Sequence, residues 1–77
     1  MTPDLELLVR DGCHLCDEFL LELSLDHPAL AERLHLRDVD AEAGLAAEFG
    51  LRVPVLRIAG RTVCEGRYDR DEVRAAL

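Results

Sequence analysis

The pattern of hydrophobic and polar residues in the first third of the chain predicts one strand followed by one helix. In residues 4–10, DLELLVR, apolar side chains alternate, and Leu8 adds apolar character to the second face. This pattern predicts a strand that is buried on both sides. Asp11-Gly12 is a loop signal. A helix is then predicted from residue 13 or 14 to residue 25, because apolar residues recur at a spacing of four: Leu15, Phe19 and Leu23.

Shorter signals predict the elements in the rest of the chain. Residues 34–40 form a second strand. A helix over 41–49 is expected to be capped by Asp40 and ended by Gly50. A third strand, 53–58, is entered through Pro54 and joined by the two-residue turn Ala59-Gly60 to a fourth strand, 61–64. Asp69 followed by Glu72 resembles a capping box and starts a last helix that ends near Leu77.

The resulting order, β-α-β-α-β-β-α, predicts an α/β fold with a four-stranded mixed sheet flanked by helices. Strands separated by helices are expected to pair in parallel, and the hairpin is expected to add one antiparallel edge. The chain has 77 residues, 49% of them hydrophobic, so we expect a single domain over residues 1–77.

Charge and cysteine content narrow the range of functions. The net charge is −7, which disfavours binding to nucleic acid or to an anionic membrane. We find neither a signal peptide nor an apolar run long enough to span a bilayer, so we expect a cytoplasmic protein. Three cysteines argue against a disulfide scaffold. In a reducing compartment, a Cys-X-X-Cys motif is more often catalytic or metal-binding than structural.

The motif Cys13-His14-Leu15-Cys16 follows the first strand and opens the first helix. A thiol reacts as its thiolate, and a helix N-terminus stabilises the thiolate of Cys13. Arg10 and a protonated His14 would add positive charge, whereas the neighbouring acidic residues oppose ionisation. Cys16 lies one helical turn later, on a similar face and within reach of Cys13. The motif is therefore a candidate redox dithiol.

Two other interpretations of the motif stay open. A metal site would need four ligands, such as Cys13, Cys16, Cys64 and one histidine, but the chain has no second Cys-X-X-Cys or His-X-X-X-His pair. Both cysteines could instead be small buried residues, which their position after a strand and a glycine loop disfavours. Pro54 enters a strand predicted to be central, which indicates either a cis bond or an ordinary strand-entry proline.

Three segments together, RDGCHLC, RVPVLRIAGR and DRDEV, resemble a small glutaredoxin of the thioredoxin-fold superfamily. The resemblance runs from about residue 4 to the C-terminus and points to a glutaredoxin-like subgroup with the motif C-H-L-C. It implies a thioredoxin-like fold in which Cys13 is the nucleophile and Cys16 the resolving thiol. Pro54 would be the cis-proline facing the dithiol.

The resemblance also implies the substrate contacts. The backbone of Val53 would pair with a bound peptide or with glutathione. Arg10 stands where glutaredoxins commonly carry a lysine that contacts a glutathione carboxylate, and it keeps that charge. We group His14 with these residues and with Pro54 as substrate-binding. His14-Leu15 replaces the usual Pro-Tyr, and CEGRYDRD replaces the usual Gly-Gly and Asp.

The expected activity is that of a thiol–disulfide oxidoreductase that reduces protein or glutathione mixed disulfides. We expect no bound metal or cofactor, glutathione as a candidate co-substrate, a separate reducing system and a monomer. The alternative is a non-catalytic thioredoxin-fold binding module, or a metal- or iron–sulfur-binding protein. Cys64 is either a second disulfide partner for Cys13, a site of glutathionylation, or a small residue that ends a buried strand.

Overall fold

The computed structural model describes residues 4–77, which form one four-stranded sheet with helices against its two faces. The elements, in chain order, are β1 (Leu5–Val9), α1 (His14–Asp26), α2 (Pro28–Glu32), β2 (His35–Asp38), a 3-10 turn (Val39–Ala41), α3 (Ala43–Phe49), β3 (Val55–Ile58), β4 (Arg61–Glu65) and α4 (Arg70–Ala76). The predicted α/β class and the four-stranded mixed sheet are confirmed.

The strands lie in the order β2-β1-β3-β4. β1 pairs in parallel with β2, so that Leu7 lies opposite Leu36. β3 is antiparallel to β1, with Val55 opposite Leu8, and it is also antiparallel to β4. The prediction that β3 would run parallel to the strands before it is wrong, because β1–β2 is the only parallel pair among the strands of residues 4–77.

The path of the connection between β2 and β3, residues 39–54, sets the reversed direction of β3. Its helix α3 has seven residues and spans about 10 Å. Both ends of the connection stay at the edge where β1 ends, since Arg10 hydrogen-bonds both Asp40 and the Gly50 carbonyl. β3 therefore starts at that edge and runs the opposite way.

Burial on both faces of β1 follows from two core clusters, as the sequence pattern predicted. On one face, Leu7 packs with Phe19 and Leu23 of α1. On the other face, Leu8 packs with Phe49 of α3. Val73 of α4 belongs to the first cluster, so α1 and α4 lie on one side of the sheet and α3 lies on the other.

The start of α3 differs from the prediction. A 3-10 turn occupies Val39–Ala41, and α3 begins at Ala43 with Glu42 at the N-cap position and no side-chain cap. Asp40 does not cap the helix, because both of its carboxylate oxygens accept hydrogen bonds from Arg10.

The hairpin turn is built as predicted, and the last helix has the predicted Asp69 cap without the reciprocal half of a capping box, because the Asp69 N–H donates to the Cys64 sulfur. Ala59 and Gly60 have φ angles of 53° and 78°, the left-handed values that a tight two-residue hairpin needs. The Asp69 side chain caps α4 by accepting hydrogen bonds from the N–H groups of Asp71 and Glu72. Among residues 4–77, no helix combines the length and apolarity required to cross a bilayer.

Candidate functional site

Cys13 occupies the N-cap position of α1, directly after the loop that ends β1. Gly12 adopts a φ of +71° in that loop, a value that favours glycine. The Cys13 N–H donates to the Arg10 carbonyl at 3.3 Å and closes the turn. With φ −90° and ψ 103°, Cys13 is extended. This geometry places its sulfur at the N-terminal end of a 13-residue helix.

The two cysteines of the motif are bonded to each other, and their Cα atoms are 5.2 Å apart. The Cys13 sulfur also accepts a hydrogen bond of 3.1 Å from the Cys16 N–H. Cys13 is partly exposed, whereas Cys16 is only 4% exposed. The structure therefore brings the two predicted thiols together and gives them unequal access to solvent.

Val53 and Pro54 lie at the same edge of the sheet as the Cys13 loop, since Val55 pairs with Leu8 near the end of β1. The Val53–Pro54 peptide bond is cis. Pro54 is buried, and its carbonyl accepts a hydrogen bond of 2.8 Å from the Gly66 N–H. The Val53 N–H donates to the Phe49 carbonyl at 3.1 Å, so that group is occupied within the fold.

Arg10 binds within the fold through all three of its nitrogens. Nε and Nη2 donate to the two carboxylate oxygens of Asp40, each at 2.9 Å, and Nη1 donates to the Gly50 carbonyl at 2.9 Å. These hydrogen bonds and the opposite charge lower the pKa of Asp40 and raise that of Arg10. The positive charge expected beside Cys13 is thus paired with the carboxylate of Asp40.

The first turn of α1 presents His14 and Leu15 to solvent. The His14 side chain is 85% exposed, and its Nε2 lies 3.1 Å from Oε1 of Glu18. Leu15 is 39% exposed. It borders a small groove of about 130 Å³ whose other lining residues include Glu18, Glu22, Gly66 and Arg67. This groove, which runs along α1 from Leu15 of the motif, combines an apolar side chain with charges of both signs.

Cys64 is a core residue with a defined loop contact. It is 3% exposed and packs in the same cluster as Phe19. Its sulfur donates to the Arg67 carbonyl at 3.0 Å and accepts from the Asp69 N–H at 3.3 Å. Burial raises the pKa of the thiol. These contacts fit the interpretation of Cys64 as a small buried residue. The strand itself is not buried, because β4 lies at the sheet edge with most of its residues exposed and ends one residue later, at Glu65.

A metal centre was one of the alternatives for the motif. Within residues 4–77, no group of three or more His, Cys, Asp and Glu side chains is close enough together to hold a metal ion.

Two residues at the Arg10–Gly50 junction were not assigned to the site from the sequence. Asp40 was expected to be a helix cap, and its pairing with Arg10 joins residues 30 positions apart, which no local pattern reveals. Leu51, in the turn that leads to Val53, is 99% exposed. The sequence signal that could have indicated an exposed leucine is its position directly after Gly50, the glycine that ends the helix.

The sheet order β2-β1-β3-β4 and the cysteine pair at the start of α1 define a protein of the thioredoxin-like fold with a Cys-X-X-Cys pair. Residues 4–77 match the family model described as "Glutaredoxin-like domain (DUF836)". The chain belongs to this glutaredoxin-like family.

The similarity to other proteins covers nearly the whole chain. The uncharacterized protein Rv0508 of Mycobacterium tuberculosis is 36% identical over 80 residues, which span 97% of this chain and 82% of that protein. The solution NMR structure of protein Ne2328 from Nitrosomonas europaea has a TM-score of 0.84 at 28% identity and covers 100% of this chain and 93% of that one. The X-ray structure of protein XcR50 from X. campestris has a TM-score of 0.75 at 39% identity, with 95% and 93% covered.

Proposed function

We propose that the protein is a thiol–disulfide oxidoreductase whose reactive group is the Cys13–Cys16 dithiol. The observation that carries the proposal is the asymmetry of the pair. Cys13 is partly exposed at the N-cap of α1, and Cys16 is buried one turn later with its sulfur in bonding range. Membership of the glutaredoxin-like family supports the same chemistry.

In the reduced protein, Cys13 is the attacking thiolate. The Cys16 N–H, which already donates to the Cys13 sulfur, and the N-terminus of α1 favour the charged form. The thiolate attacks one sulfur of a substrate disulfide. A mixed disulfide forms between Cys13 and the substrate, and the other substrate sulfur leaves as a thiolate and takes up a proton.

Cys16 completes the reaction by resolving the mixed disulfide. It loses its proton and attacks the Cys13 sulfur, so the Cys13–Cys16 bond forms as the second substrate thiol is released. Two electrons have then passed from the dithiol to the substrate. An external thiol reductant returns the protein to the dithiol form. Because Cys16 is buried, substrates reach Cys13 first.

The substrate is proposed to lie along the edge formed by the Cys13 loop and the Val53–Pro54 turn. With the Val53 N–H donating to Phe49, a bound peptide would pair through the Val53 carbonyl, while Pro54 is buried and supports the turn from inside. His14, exposed in the first turn of α1, would contact the same substrate. For Arg10 to bind a substrate carboxylate, that carboxylate must replace Asp40.

The test is a glutathione redox titration of the wild-type protein and of the Cys13→Ser and Cys16→Ser variants. The wild type is expected to lose two titratable thiols on mild oxidation and to regain them with dithiothreitol. Cys16→Ser should accumulate a mixed disulfide on Cys13, detected by mass spectrometry. Cys64→Ser is the matched control and should differ from the wild type by one thiol only, after denaturation.

Three results would overturn this assignment. A stable adduct on Cys16 in the Cys13→Ser variant, with none on Cys13 in Cys16→Ser, would reverse the two roles. A dithiol that exchanges with neither glutathione nor dithiothreitol would favour a non-catalytic binding module. Stoichiometric release of zinc or iron from the purified protein on denaturation would favour the metal-binding alternative.

A further inference from the structure

We propose, on the basis of the function proposed above, that the dithiol prefers peptide disulfides flanked by apolar side chains and disfavours glutathione. The inference rests on two features of the surface around Cys13. Carboxylates of the same chain pair with Arg10 and Arg52, and two leucines are exposed, Leu15 in the motif and Leu51 in the turn before Val53.

Arg10 offers little to an incoming carboxylate. Glutathione carries two carboxylates and one ammonium group, so a site for it needs cations with unused N–H donors. The fork of Arg10 is already filled by both oxygens of Asp40, and its third nitrogen donates to Gly50. This bidentate pairing is the strong form of the interaction. A glutathione carboxylate could form hydrogen bonds with the Arg10 guanidinium only by replacing those that Asp40 already makes.

The second nearby cation, Arg52, is occupied in the same way. It directly precedes Val53, and its Nε and Nη2 donate to one oxygen of Glu65 at 3.1 and 2.7 Å. Its guanidinium also lies over the Phe49 ring, 4.9 Å from the centroid. Like Arg10, Arg52 already pairs with a carboxylate of the same chain, which a ligand carboxylate would have to replace.

The charges on the α1 side also work against an anion. Asp17 and Glu18 are exposed in the first turns of α1, and His14 lies against Glu18. Arg67, which has no carboxylate within 4 Å among residues 4–77, shares its groove with Glu18 and Glu22. Those two glutamates oppose the single open cation on this side.

The apolar side chains at the same edge favour a different partner. Leu51 is 99% exposed in the turn before Val53, and Leu15 is 39% exposed within the motif. An extended peptide paired at Val53 would lie two residues along the chain from Leu51, and its disulfide would meet the motif that carries Leu15. Apolar residues beside its cysteine would remove surface of both leucines from water, which is favourable. The occupant of this edge is therefore a peptide segment with an apolar residue next to its disulfide.

The experiment measures how fast the pre-reduced protein reduces three symmetrical disulfides in a single turnover. The probes are oxidised glutathione, acetyl-Ala-Cys-Ala-amide disulfide and acetyl-Leu-Cys-Leu-amide disulfide. In each case, the protein dithiol gives two electrons and two protons to one disulfide and yields two thiols and oxidised protein. Each rate is divided by the rate at which dithiothreitol alone reduces the same probe. This normalisation removes differences in the intrinsic reactivity of the three disulfides.

In the wild type, we expect the normalised rate for the leucine peptide to exceed that for glutathione by about tenfold or more, which corresponds to ~1.4 kcal/mol. Asp40→Asn should free the Arg10 fork and raise only the glutathione rate, by about threefold to fivefold, the value of one exposed ion contact. Leu51→Ser, at a fully exposed position, should lower only the leucine-peptide rate, by about threefold.

The matched control for Asp40→Asn is Asp26→Asn. It makes the same change in charge and also weakens an arginine pair, that of Arg70. It lies at the far end of α1, about 20 Å away for 13 residues at 1.5 Å each. All three rates should stay within about twofold of the wild type, since charges at that separation are largely screened.

The inference is overturned if oxidised glutathione reacts as fast as the leucine peptide in the wild type, or if Asp40→Asn speeds all three probes equally. The second result would show an effect on the Cys13 thiolate and not on substrate choice. If the wild type reduces none of the probes faster than a Cys13→Ser/Cys16→Ser double variant, the proposed function itself fails, and the inference falls with it.

Discussion

Replacing Gly50 by alanine tests the junction that holds the Val53–Pro54 turn beside the Cys13 loop. Gly50 is the C-cap of α3 and has helical angles, φ −54° and ψ −34°, so alanine is allowed by the backbone itself. The available space is the obstacle. A Cβ atom at this position would lie 2.5 Å from the Ala46 carbonyl oxygen and 3.0 Å from Nη2 of Arg10.

Two opposing terms set the size of the effect. An added methyl group at about 2.5 Å from a backbone atom overpacks the junction, which typically costs about 1–3 kcal/mol. Alanine also restricts the unfolded chain and returns about 0.4–1 kcal/mol at a compatible position. We therefore expect Gly50→Ala to lower the free energy of unfolding by roughly 0.5–2 kcal/mol.

The assay is urea unfolding followed by far-UV circular dichroism, with Gly44→Ala as the matched control. Gly44 lies in the same helix, six residues earlier, and a Cβ there would meet nothing within 4 Å. That variant should be more stable by about 0.4–1 kcal/mol. With a slope near 1 kcal/mol/M, the two midpoints should move apart by roughly 1–3 M.

The sign of the change in the free energy of unfolding in Gly50→Ala decides whether position 50 is tightly packed. If Gly50→Ala stabilises the protein as much as Gly44→Ala does, the close approach of the Ala46 carbonyl and the Arg10 side chain to position 50 does not constrain the fold. Glycine would then not be required at the end of α3.

Three further outcomes are expected. Ala59→Asn should raise the free energy of unfolding by about 0.5–1 kcal/mol, because asparagine tolerates the left-handed φ of 53°, and a decrease in urea stability would contradict this. Arginine partners lower the pKa of Asp26 and Asp40, so their contribution is complete above the unfolded pKa of about 3.9 and is lost as pH falls through the lower native pKa. The urea midpoint should drop with acidification through that window, and less so in the Asp26→Asn/Asp40→Asn variant. Buried Cys64, with its raised pKa, should react with iodoacetamide much more slowly in native protein than in urea, whereas equal rates would contradict its burial.

The element boundaries that local patterns set were largely predictable. The spacing of Leu15, Phe19 and Leu23 gave α1 to within one residue at its C-terminal end. Asp69 was correctly predicted to cap α4, because a capping side chain bonds to N–H groups only two and three residues away. In both cases the information lies within one or two helical turns of sequence.

The candidate site was predictable only in part. The sequence placed Cys13 and Cys16 at the start of a helix after a central strand, and the structure has them there, bonded to each other. The direction of β3 was missed, because it depends on which edge of the sheet the chain reaches after α3. The partner of Arg10 was missed for a similar reason: Asp40 and Gly50 lie 30 and 40 residues away.

A short sequence carries chemistry and local geometry, and for this protein these are a pair of thiols at a helix start, a proline before a strand and a tight hairpin turn. The pairing of charges that lie far apart in the chain cannot be read from such a short sequence. Arg10 in the sequence is a free cation three residues before Cys13, and only folding brings Asp40 and Gly50 to its guanidinium. Side-chain hydrogen bonds depend on positions in space to within a few tenths of an ångström, and the tertiary packing of β1, α3 and the turn between them sets those positions.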